Sequence, residues 1–529
     1  MAYHTALYLF LFLPASLAAY QLFPSRHRWK ALLLAGYVFF YLISGKLLIY
    51  LVGTSLFTHY TGVWLGWLKL RHESERLSVS PQERAGLLEI QRRRERCVLL
   101  FGISVLLLLL GYLKYYNFFA VNLNAVLKAV GGGWQFPVKA LLLPIGISFY
   151  TLQAIGYMAD VYWEKIPAER HLGKLALFLG FFPQIMEGPI SAYSQTAESL
   201  WSGRGLKSEN LSRGCVRILW GLLKKMVVAD RLHVLVKAVF GQYSEYSGAV
   251  VAVAAAAYTI QLYMEFSGCM DIVIGSGNLF GVILPENFRR PFASRSAAEF
   301  WRRWHITLGA WLKTYIFYPI SVSRLVKRWN RFGKKHLGRY LTRLGVSALA
   351  LFPVWLCNGL WHGPRWSYIF FGMYYLTVLL CGLALEPVRN KLLAILHIRA
   401  DSWYWKSVQI LKTCLIVVTG ELFFRAVSLK AGIHMFLSIF QNFSPSVLWN
   451  GTLLKLGLDV GDLIAVAGGC LIVGAAGFLQ ERGQFSLERL QNCRLPARWA
   501  LYYGLIFAII IFGAYGPGYQ QVDLIYAGF

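Results

Sequence analysis

Long apolar stretches recur from one end of the chain to the other, separated by short polar and basic segments. Their lengths are close to the roughly 20 residues that an α-helix needs to cross about 30 Å of hydrocarbon. The pattern predicts an all-α polytopic membrane protein with roughly 11–13 transmembrane helices and additional re-entrant segments. The predicted helices are 3–22, 31–52, 53–70, 97–117, 139–160, 214–240, 247–282, 344–363, 366–388, 406–427, 461–479 and 500–517.

Two further apolar pieces do not fit straight transmembrane helices. The piece 174–193 contains Pro183 and Pro189, and the piece 303–320 begins at the end of a basic run. If both crossed the bilayer, basic loops would lie outside the cell, against the retention of Lys/Arg-rich loops in the cytoplasm. We interpret both as re-entrant or interfacial segments, which irregular backbone allows when it is buried in protein or lines a wet cavity. An ordinary helix with a local kink is the alternative for each.

Basic residues cluster in the loops between the apolar stretches. The chain is 57% hydrophobic and only 15% charged, with a formal net charge of +28. Because the positive charges lie between apolar runs, they indicate cytoplasmic loops that face anionic lipid and do not indicate nucleic-acid binding. We expect the runs 69–96 and 324–343, and the smaller clusters 389–391 and 482–498, to be cytoplasmic, and the stretch 430–458 to face outside.

Two histidines lie in this apolar sequence, where an ionisable side chain is costly and is therefore a candidate for function. His305 follows the residues Phe-Trp-Arg-Arg-Trp, and His362 lies in the sequence Leu-Trp-His-Gly. Histidine is the side chain best suited to proton transfer near neutral pH. The predicted topology puts His305 toward the cytoplasm and His362 deeper or toward the outside. On residue type alone, His305 could also be a polar side chain whose hydrogen bonds are satisfied.

Two carboxylates, Glu265 and Asp271, fall in the predicted helix 247–282. Buried carboxylates need partners, and we expect the nearby arginine pair at 302–303 to supply them.

Common cofactor and metal motifs are missing from the sequence. It contains no G-x-x-x-x-G-K-[ST] loop, no G-x-S-x-G elbow and no H-E-x-x-H pair, and none of its eight cysteines forms a C-x-x-C pair. These motifs carry nucleotide-driven, serine-hydrolase and zinc chemistry. We therefore expect no metal and no tightly bound cofactor. A polytopic transporter or lipid flippase, in which the polar residues gate a substrate, stays open beside an enzyme.

Four stretches resemble the membrane-bound O-acyltransferase family, in its bacterial branch of alginate O-acetylation and teichoic-acid D-alanylation proteins. They are Pro-Ile-Gly-Ile-Ser-Phe-Tyr at 144–150, Phe-Phe-Pro-Gln with Gly-Pro-Ile at 181–190, the block 285–319, and Leu-Trp-His-Gly at 360–363. The resemblance covers roughly residues 100–430, which we take as the core of a single integral-membrane domain spanning 1–529. The wording around His305 favours the alginate type over the D-alanylation type.

The resemblance implies a helical bundle around a central funnel or tunnel, in a multi-pass protein of the bacterial cytoplasmic membrane. It implies transfer of an acyl group, acetyl or D-alanyl, from a cytoplasmic thioester, which is an acyl-CoA or an acyl-carrier protein. The acceptor is a hydroxyl of an extracytoplasmic polysaccharide or another envelope polymer, reached directly or through an extracytoplasmic partner acyltransferase. The family's two active-site positions, of which the first is His or Asn, fall on His305 and His362.

These implications give each candidate residue an expected role. We expect His362 to be the general base, and His305 to orient the thioester or to hydrogen-bond its carbonyl group. Asn358, about one helical turn before His362, is expected to orient its imidazole. The neighbours of His305 are supporting candidates: Trp304, which could also belong to an interfacial aromatic belt, and the pair Arg302 and Arg303, which could bind donor phosphates or lipid headgroups.

Overall fold

The computed structural model of the chain describes residues 1–80, 82–483 and 493–515. Within these ranges the regular secondary structure is helical and contains no strand. Residues 516–517 of the predicted helix 500–517, and residues 484–492 of the basic cluster 482–498, lie outside the described residues. In the described part of the chain, eight helical stretches are long and apolar enough to cross a membrane: Ser25–Leu77, Arg84–Ala129, Gly248–Leu279, Gly338–His362, Trp366–Ala384, Trp403–Arg425, Val460–Glu481 and Leu495–Phe512. The protein is therefore an all-helical, multi-pass membrane protein, as predicted.

The chain forms two compact units, and the first comprises Met1–Cys215 with Val273–Pro285. Its core contains the aromatic side chains of the N-terminal segment packed on the chain around Phe182. Its helices are Leu7–Phe12, Leu13–Leu22, Ser25–His27, Arg28–Ser44, Gly45–Leu47, Leu48–Leu77, Arg84–Leu110, Gly111–Tyr115, Tyr116–Ala129, Ile147–Tyr162, Leu172–Gly180 and Tyr193–Trp201.

The second unit comprises Val216–Ile272 with Glu286–Phe529. Both candidate histidines lie in it. Its helices, two of which also have residues in the first unit, are Ser208–Leu222, Leu223–Ala229, Asp230–Gly241, Tyr243–Glu245, Gly248–Leu279, Pro291–Ala293, Ala297–Arg303, Ile306–Leu312, Lys313–Phe317, Tyr318–Ser321, Arg324–His336, Gly338–His362, Trp366–Ala384, Glu386–Ile395, Trp403–Arg425, Leu429–Gln441, Pro445–Leu448, Thr452–Leu456, Val460–Glu481 and Leu495–Phe512.

The helix predicted at 139–160 begins later than expected. Residues 133–144 form neither helix nor turn, and the helix is Ile147–Tyr162, with Gly146 as its N-cap. Gly146 has a φ of +74°, and a Cβ there would lie 1.9 Å from the carbonyl oxygen of Ile185. Glycine permits both the left-handed conformation and this close approach. The Pro-Ile-Gly-Ile-Ser-Phe motif thus places the start of the helix Ile147–Tyr162 in direct contact with the motif at 181–190.

The two apolar pieces that we interpreted as re-entrant or interfacial are not among the eight candidate membrane helices. In the first, the helix Leu172–Gly180 ends and residues 181–192 continue as irregular chain that is largely buried. The second forms the short continuous helical stretch 306–321. Burial in protein is the condition under which irregular backbone survives at membrane depth.

Candidate active site

A sharp break in the helix direction places the His305 side chain. The helix Ala297–Arg303 is capped by Ser296, whose hydroxyl accepts a hydrogen bond from the Glu299 backbone N–H. The chain then becomes extended at Trp304 and left-handed at His305, with φ 45° and ψ 52°, before the next helix begins. A left-handed conformation is uncommon for a residue other than glycine, and it is found where surrounding contacts impose it.

The contacts that hold this break come from Asn287. Its backbone carbonyl accepts from the Ile306 N–H at 3.0 Å. Its side-chain oxygen accepts from the Thr307 N–H at 3.1 Å and from the Thr307 hydroxyl at 3.0 Å. Two residues further on, the Arg289 N–H donates to the Arg303 carbonyl at 2.9 Å. The segment 287–289 is therefore bonded to the chain on both sides of His305.

The His305 ring is buried among aromatic groups. Its Nδ1 lies 3.2 Å from the side-chain oxygen of Asn287. The Phe266 ring meets it nearly edge-on at 4.9 Å between centroids, and the Trp361 ring lies at 5.4 Å. Its Nε2 is buried and has no hydrogen-bond partner among the described residues. Burial holds the pKa of the His305 imidazole well below its ordinary value, so the ring is neutral at physiological pH.

His362 ends the helix Gly338–His362 and is also buried. The Phe424 ring lies perpendicular to its imidazole at 4.8 Å, and the ring of Phe371 lies at 5.8 Å. Its neighbour Trp361, at 4.9 Å, is the same ring that contacts His305. The structure thus brings the two predicted histidines together on one tryptophan, among aromatic side chains.

Close packing of two helices fixes the position of His362. A Cβ on Gly359 would lie 2.4 Å from the Tyr368 carbonyl oxygen, and a Cβ on Gly372 would lie 2.2 Å from the Trp355 carbonyl oxygen. The backbones of Gly338–His362 and Trp366–Ala384 therefore touch, as small residues allow in membrane helices. Only glycine fits at either contact without moving the helix that carries His362.

The supporting candidates have different surroundings. Asn358 is buried, but its side-chain oxygen accepts no hydrogen bond from any described residue, so this oxygen does not orient His362. Trp304 is buried against Phe288 and Phe300 and is not part of an interfacial belt. Arg302 is exposed.

Arg303 is engaged by carboxylates. Its guanidinium pairs with Glu299 at 2.9 Å and with Glu481 at 3.0 Å. Arg290 pairs with the same Glu481. Arg303 is therefore engaged in ion pairs, whereas the side chain of Arg302 is exposed.

The expectation that the 302–303 pair neutralises Glu265 and Asp271 is wrong. Asp271 pairs with Arg217 at 2.5 Å and with Lys224 at 2.6 Å. The lysine lies in the π-helical segment Leu223–Ala229, inside the stretch that we predicted as an apolar helix. Lysines within an apolar run were the available signal, because intramembrane charges occur with partners.

Glu265 pairs instead with Lys225, at 3.3 Å, and the same ammonium group lies 2.7 Å from Asp230. All three side chains are largely buried. Two consecutive lysines of the π-helical segment thus each form an ion pair with one carboxylate of the helix Gly248–Leu279. This network braces the helix that also carries Phe266, the aromatic neighbour of His305.

Two polar residues of this unit were assigned no role from the sequence. Asn287 lies in the motif block, but only the structure shows its contacts with His305 and Thr307. Glu421 is buried in the helix Trp403–Arg425, three residues before Phe424, and a carboxylate within a predicted membrane helix was the signal for it. Among the described residues, no three His, Cys, Asp or Glu side chains are grouped as metal ligands.

Comparison with known proteins gives these features a context. The profile of MBOAT, the membrane-bound O-acyltransferase family, matches residues 169–418, which include both histidines. The chain is 33% identical over 441 residues to a probable alginate O-acetylase AlgI of Pseudomonas putida, covering 83% of this chain and 80% of that protein. It is 30% identical over 410 residues to a peptidoglycan O-acetyltransferase of Helicobacter pylori, covering 71% and 69%.

A more distant relative is a teichoic acid D-alanyltransferase of Bacillus subtilis, 26% identical over 303 residues that cover 53% of this chain and 73% of that protein. The long match to the alginate O-acetylase, the family profile and the all-helical membrane fold agree with one another. The chain belongs to the membrane-bound O-acyltransferase family and is an acyltransferase.

Proposed function

We propose that this acyltransferase moves an acetyl group from a cytoplasmic thioester to a hydroxyl of an extracytoplasmic polysaccharide or another envelope polymer, directly or through a partner transferase. The observation that carries the proposal is the pair of buried histidines on Trp361, of which His305 presents a ring nitrogen that has no partner among the described residues. Acetyl is favoured over D-alanyl because two O-acetylating relatives match more of this chain, at higher identity, than the D-alanyltransferase does.

His362 is the general base in the proposed reaction. It takes the proton of the acceptor hydroxyl as that oxygen attacks the thioester carbonyl carbon. The carbon–sulfur bond then breaks, and the sulfur leaves as a thiol after it takes up a proton. The products are an ester and a free thiol. A positioned general base typically contributes about 10²–10⁴-fold to the rate.

The donor is an acyl-CoA or an acyl-carrier protein in this proposal, because both present a thioester on a long polar arm. His305 orients this thioester, and the exposed Arg302 is placed to meet a donor phosphate. The enzyme acts in the bacterial cytoplasmic membrane, with the donor on the cytoplasmic side and the acceptor on the other.

Reconstituted protein separates this function from transport or lipid flipping. Purified protein in liposomes would be given acetyl-CoA labelled in the acetyl group together with a polysaccharide that supplies acceptor hydroxyls, and free thiol and acetyl esters would be measured. We expect thiol release by the natural chain and by a His434→Ala control, which alters an exposed histidine, but not by His362→Ala. Acetyl-CoA or its label crossing the bilayer with the thioester intact would instead support a transporter. A D-alanyl carrier thioester run in parallel tests the other acyl group.

A further inference from the structure

We infer that Asn287 is a positioning residue that fixes which nitrogen of His305 carries the proton, so that Nε2 always faces the substrate as a hydrogen-bond acceptor. This inference rests on the proposed function and narrows the part that His305 plays in it. It assigns to the substrate a hydrogen-bond donor group, an N–H or an O–H, at the position that Nε2 faces.

The side-chain atom of Asn287 that faces the His305 ring is its oxygen. An amide oxygen and nitrogen can be exchanged in a structure, so the hydrogen-bond network must decide between them. The atom in question lies 3.1 Å from the backbone N–H of Thr307, which can only donate. It must therefore be the oxygen. The amide nitrogen points the other way, toward the sulfur of Met270 at 3.3 Å.

The proton of the neutral His305 imidazole is on Nδ1. An amide oxygen only accepts hydrogen bonds, so the Nδ1 of His305, 3.2 Å away, must be the donor. A neutral imidazole carries one proton, and with that proton on Nδ1 its Nε2 holds a lone pair. The neutral ring therefore cannot donate a hydrogen bond to a thioester carbonyl oxygen. Of the two roles expected for His305, orientation through an accepted hydrogen bond is the one this geometry supports.

The lone pair on Nε2 of His305 is available to accept a hydrogen bond from a ligand. It is buried and has no hydrogen-bond partner among the described residues, while the ring is held by Phe266 and Trp361. Buried polar atoms are nearly always satisfied, so one that is not marks a place that something else fills. The two candidate donors are an amide N–H of the thioester arm and the O–H of the acceptor.

Nitrogen NMR of the imidazole reads the proton position directly. Protein labelled with ¹⁵N in its histidine rings would be purified, and His305→Asn would identify the His305 signals by their loss. We expect a protonated Nδ1 and a bare Nε2 in the natural chain. In Asn287→Ala this fixed pattern should be lost. Thr307→Val, which removes one hydroxyl donor but leaves the bond between Asn287 and His305, is the matched control and should keep it.

Activity in cells gives the second readout. Asn287→Ala should lower envelope ester content at least tenfold, and Asn287→Asp, which still accepts from Nδ1–H, should restore part of it. A proton on Nε2 in the natural chain, or full ester content in Asn287→Ala, would overturn the inference. If the proposed function itself were wrong, the NMR pattern would persist while the ester content of the natural strain and the His362→Ala strain would be equal.

Kinetics with acetyl-CoA then identify the donor of the hydrogen bond. If Nε2 binds the thioester arm, Asn287→Ala raises the KM for acetyl-CoA in the reconstituted protein. If Nε2 binds the acceptor hydroxyl, that KM is unchanged and only transfer falls. If both the KM for acetyl-CoA and the rate of transfer were unchanged, Nε2 would bind neither the thioester arm nor the acceptor hydroxyl, and the inference would be wrong.

Discussion

His305 lowers the stability of the fold, and a destabilising residue that is kept in a buried site indicates a role in the reaction. A buried polar atom without a hydrogen bond destabilises a protein by about 1–3 kcal/mol. Within the part of the chain that the structure describes, Nε2 of His305 is in this state, on a residue with a left-handed backbone. Three hydrogen bonds to one oxygen of Asn287 hold the arrangement in place. Such an arrangement is common at functional sites, where the ligand completes what the protein leaves open.

Substitution of His305 should give a graded loss of activity. In His305→Asn, the new amide can donate to Asn287 and still offer an oxygen to the substrate, so it reproduces the pattern of the natural ring. We expect this variant to retain about a tenth of the activity or more, since one weakened hydrogen bond is worth about 0.5–1.5 kcal/mol. His305→Ala should retain much less. Envelope ester content measures both, and equally complete losses would mean that His305 transfers a proton itself.

The paired lysines illustrate how helices are braced in this protein. Asp271 and Glu265 project from Gly248–Leu279 toward a π-helical segment that supplies one lysine to each. Inserted π-helical turns frequently mark functional regions. Removing one member of a buried ion pair leaves the other charged and uncompensated.

We expect Asp271→Ala to lower the free energy of unfolding by about 3–5 kcal/mol, because Lys224 would lose its buried carboxylate partner, whereas Arg217 keeps Glu286. Thermal unfolding of the purified protein in detergent would report the change. The matched control is Glu386→Gln, which breaks the exposed pair with Arg343 and should cost at most about 1 kcal/mol. Similar losses in the two variants would show that the buried network is not a special source of stability.

Helix contact near His362 gives a second prediction at this scale. Gly359→Ala places a Cβ against the Tyr368 carbonyl, so the helix ending at His362 must shift. We expect activity to fall at least tenfold while the protein still inserts, since a small displacement of catalytic groups has a large effect on rate. Gly382→Ala is the control, because that glycine has open space around it and its substitution should leave envelope ester content unchanged.

The sequence patterns predicted the positions of the membrane helices well, but they did not predict the contacts that these helices make with one another. Apolar length sufficed for Gly338–His362 and Trp366–Ala384, because lipid imposes a length and an internal hydrogen-bond pattern on each helix. The same patterns assigned the wrong partners to Asp271, since pairing depends on which helices pack together. The two histidines could be found from sequence, whereas the part played by Asn287 could not, because a hydrogen bond to His305 spans 18 positions of the chain.

The basic loops predict the orientation of the protein in the membrane. Between the run 324–343 and the cluster 482–498, four candidate membrane helices alternate with loops. If each crosses once, the basic clusters 389–391 and 482–498 share the cytoplasmic side with that run, and the stretch 430–458 lies outside. The positive-inside rule requires this agreement. With this predicted orientation, His362 would lie at the far end of a helix that begins in the cytoplasm.

Cysteine labelling tests this orientation. In a variant without native cysteines, single cysteines would replace the exposed residues Ser78, Lys334 and Asn450. A membrane-impermeant reagent should label the cysteine at position 450 in intact cells. The other two should react only after permeabilisation. Labelling of position 334 in intact cells would show that the orientation is the opposite of the predicted one. The donor and the acceptor would then not bind on the proposed sides.

His362 is the proposed base for acyl transfer to the envelope. The most direct test of this role is mass spectrometry of the esters on envelope polymers in a deletion strain complemented with the natural chain, His362→Ala or His434→Ala. Each protein would be quantified in the membrane fraction. We expect the natural chain and His434→Ala to restore the esters, and His362→Ala to lower them by about 10²-fold or more at equal protein level. Near-normal ester content with His362→Ala would contradict the account.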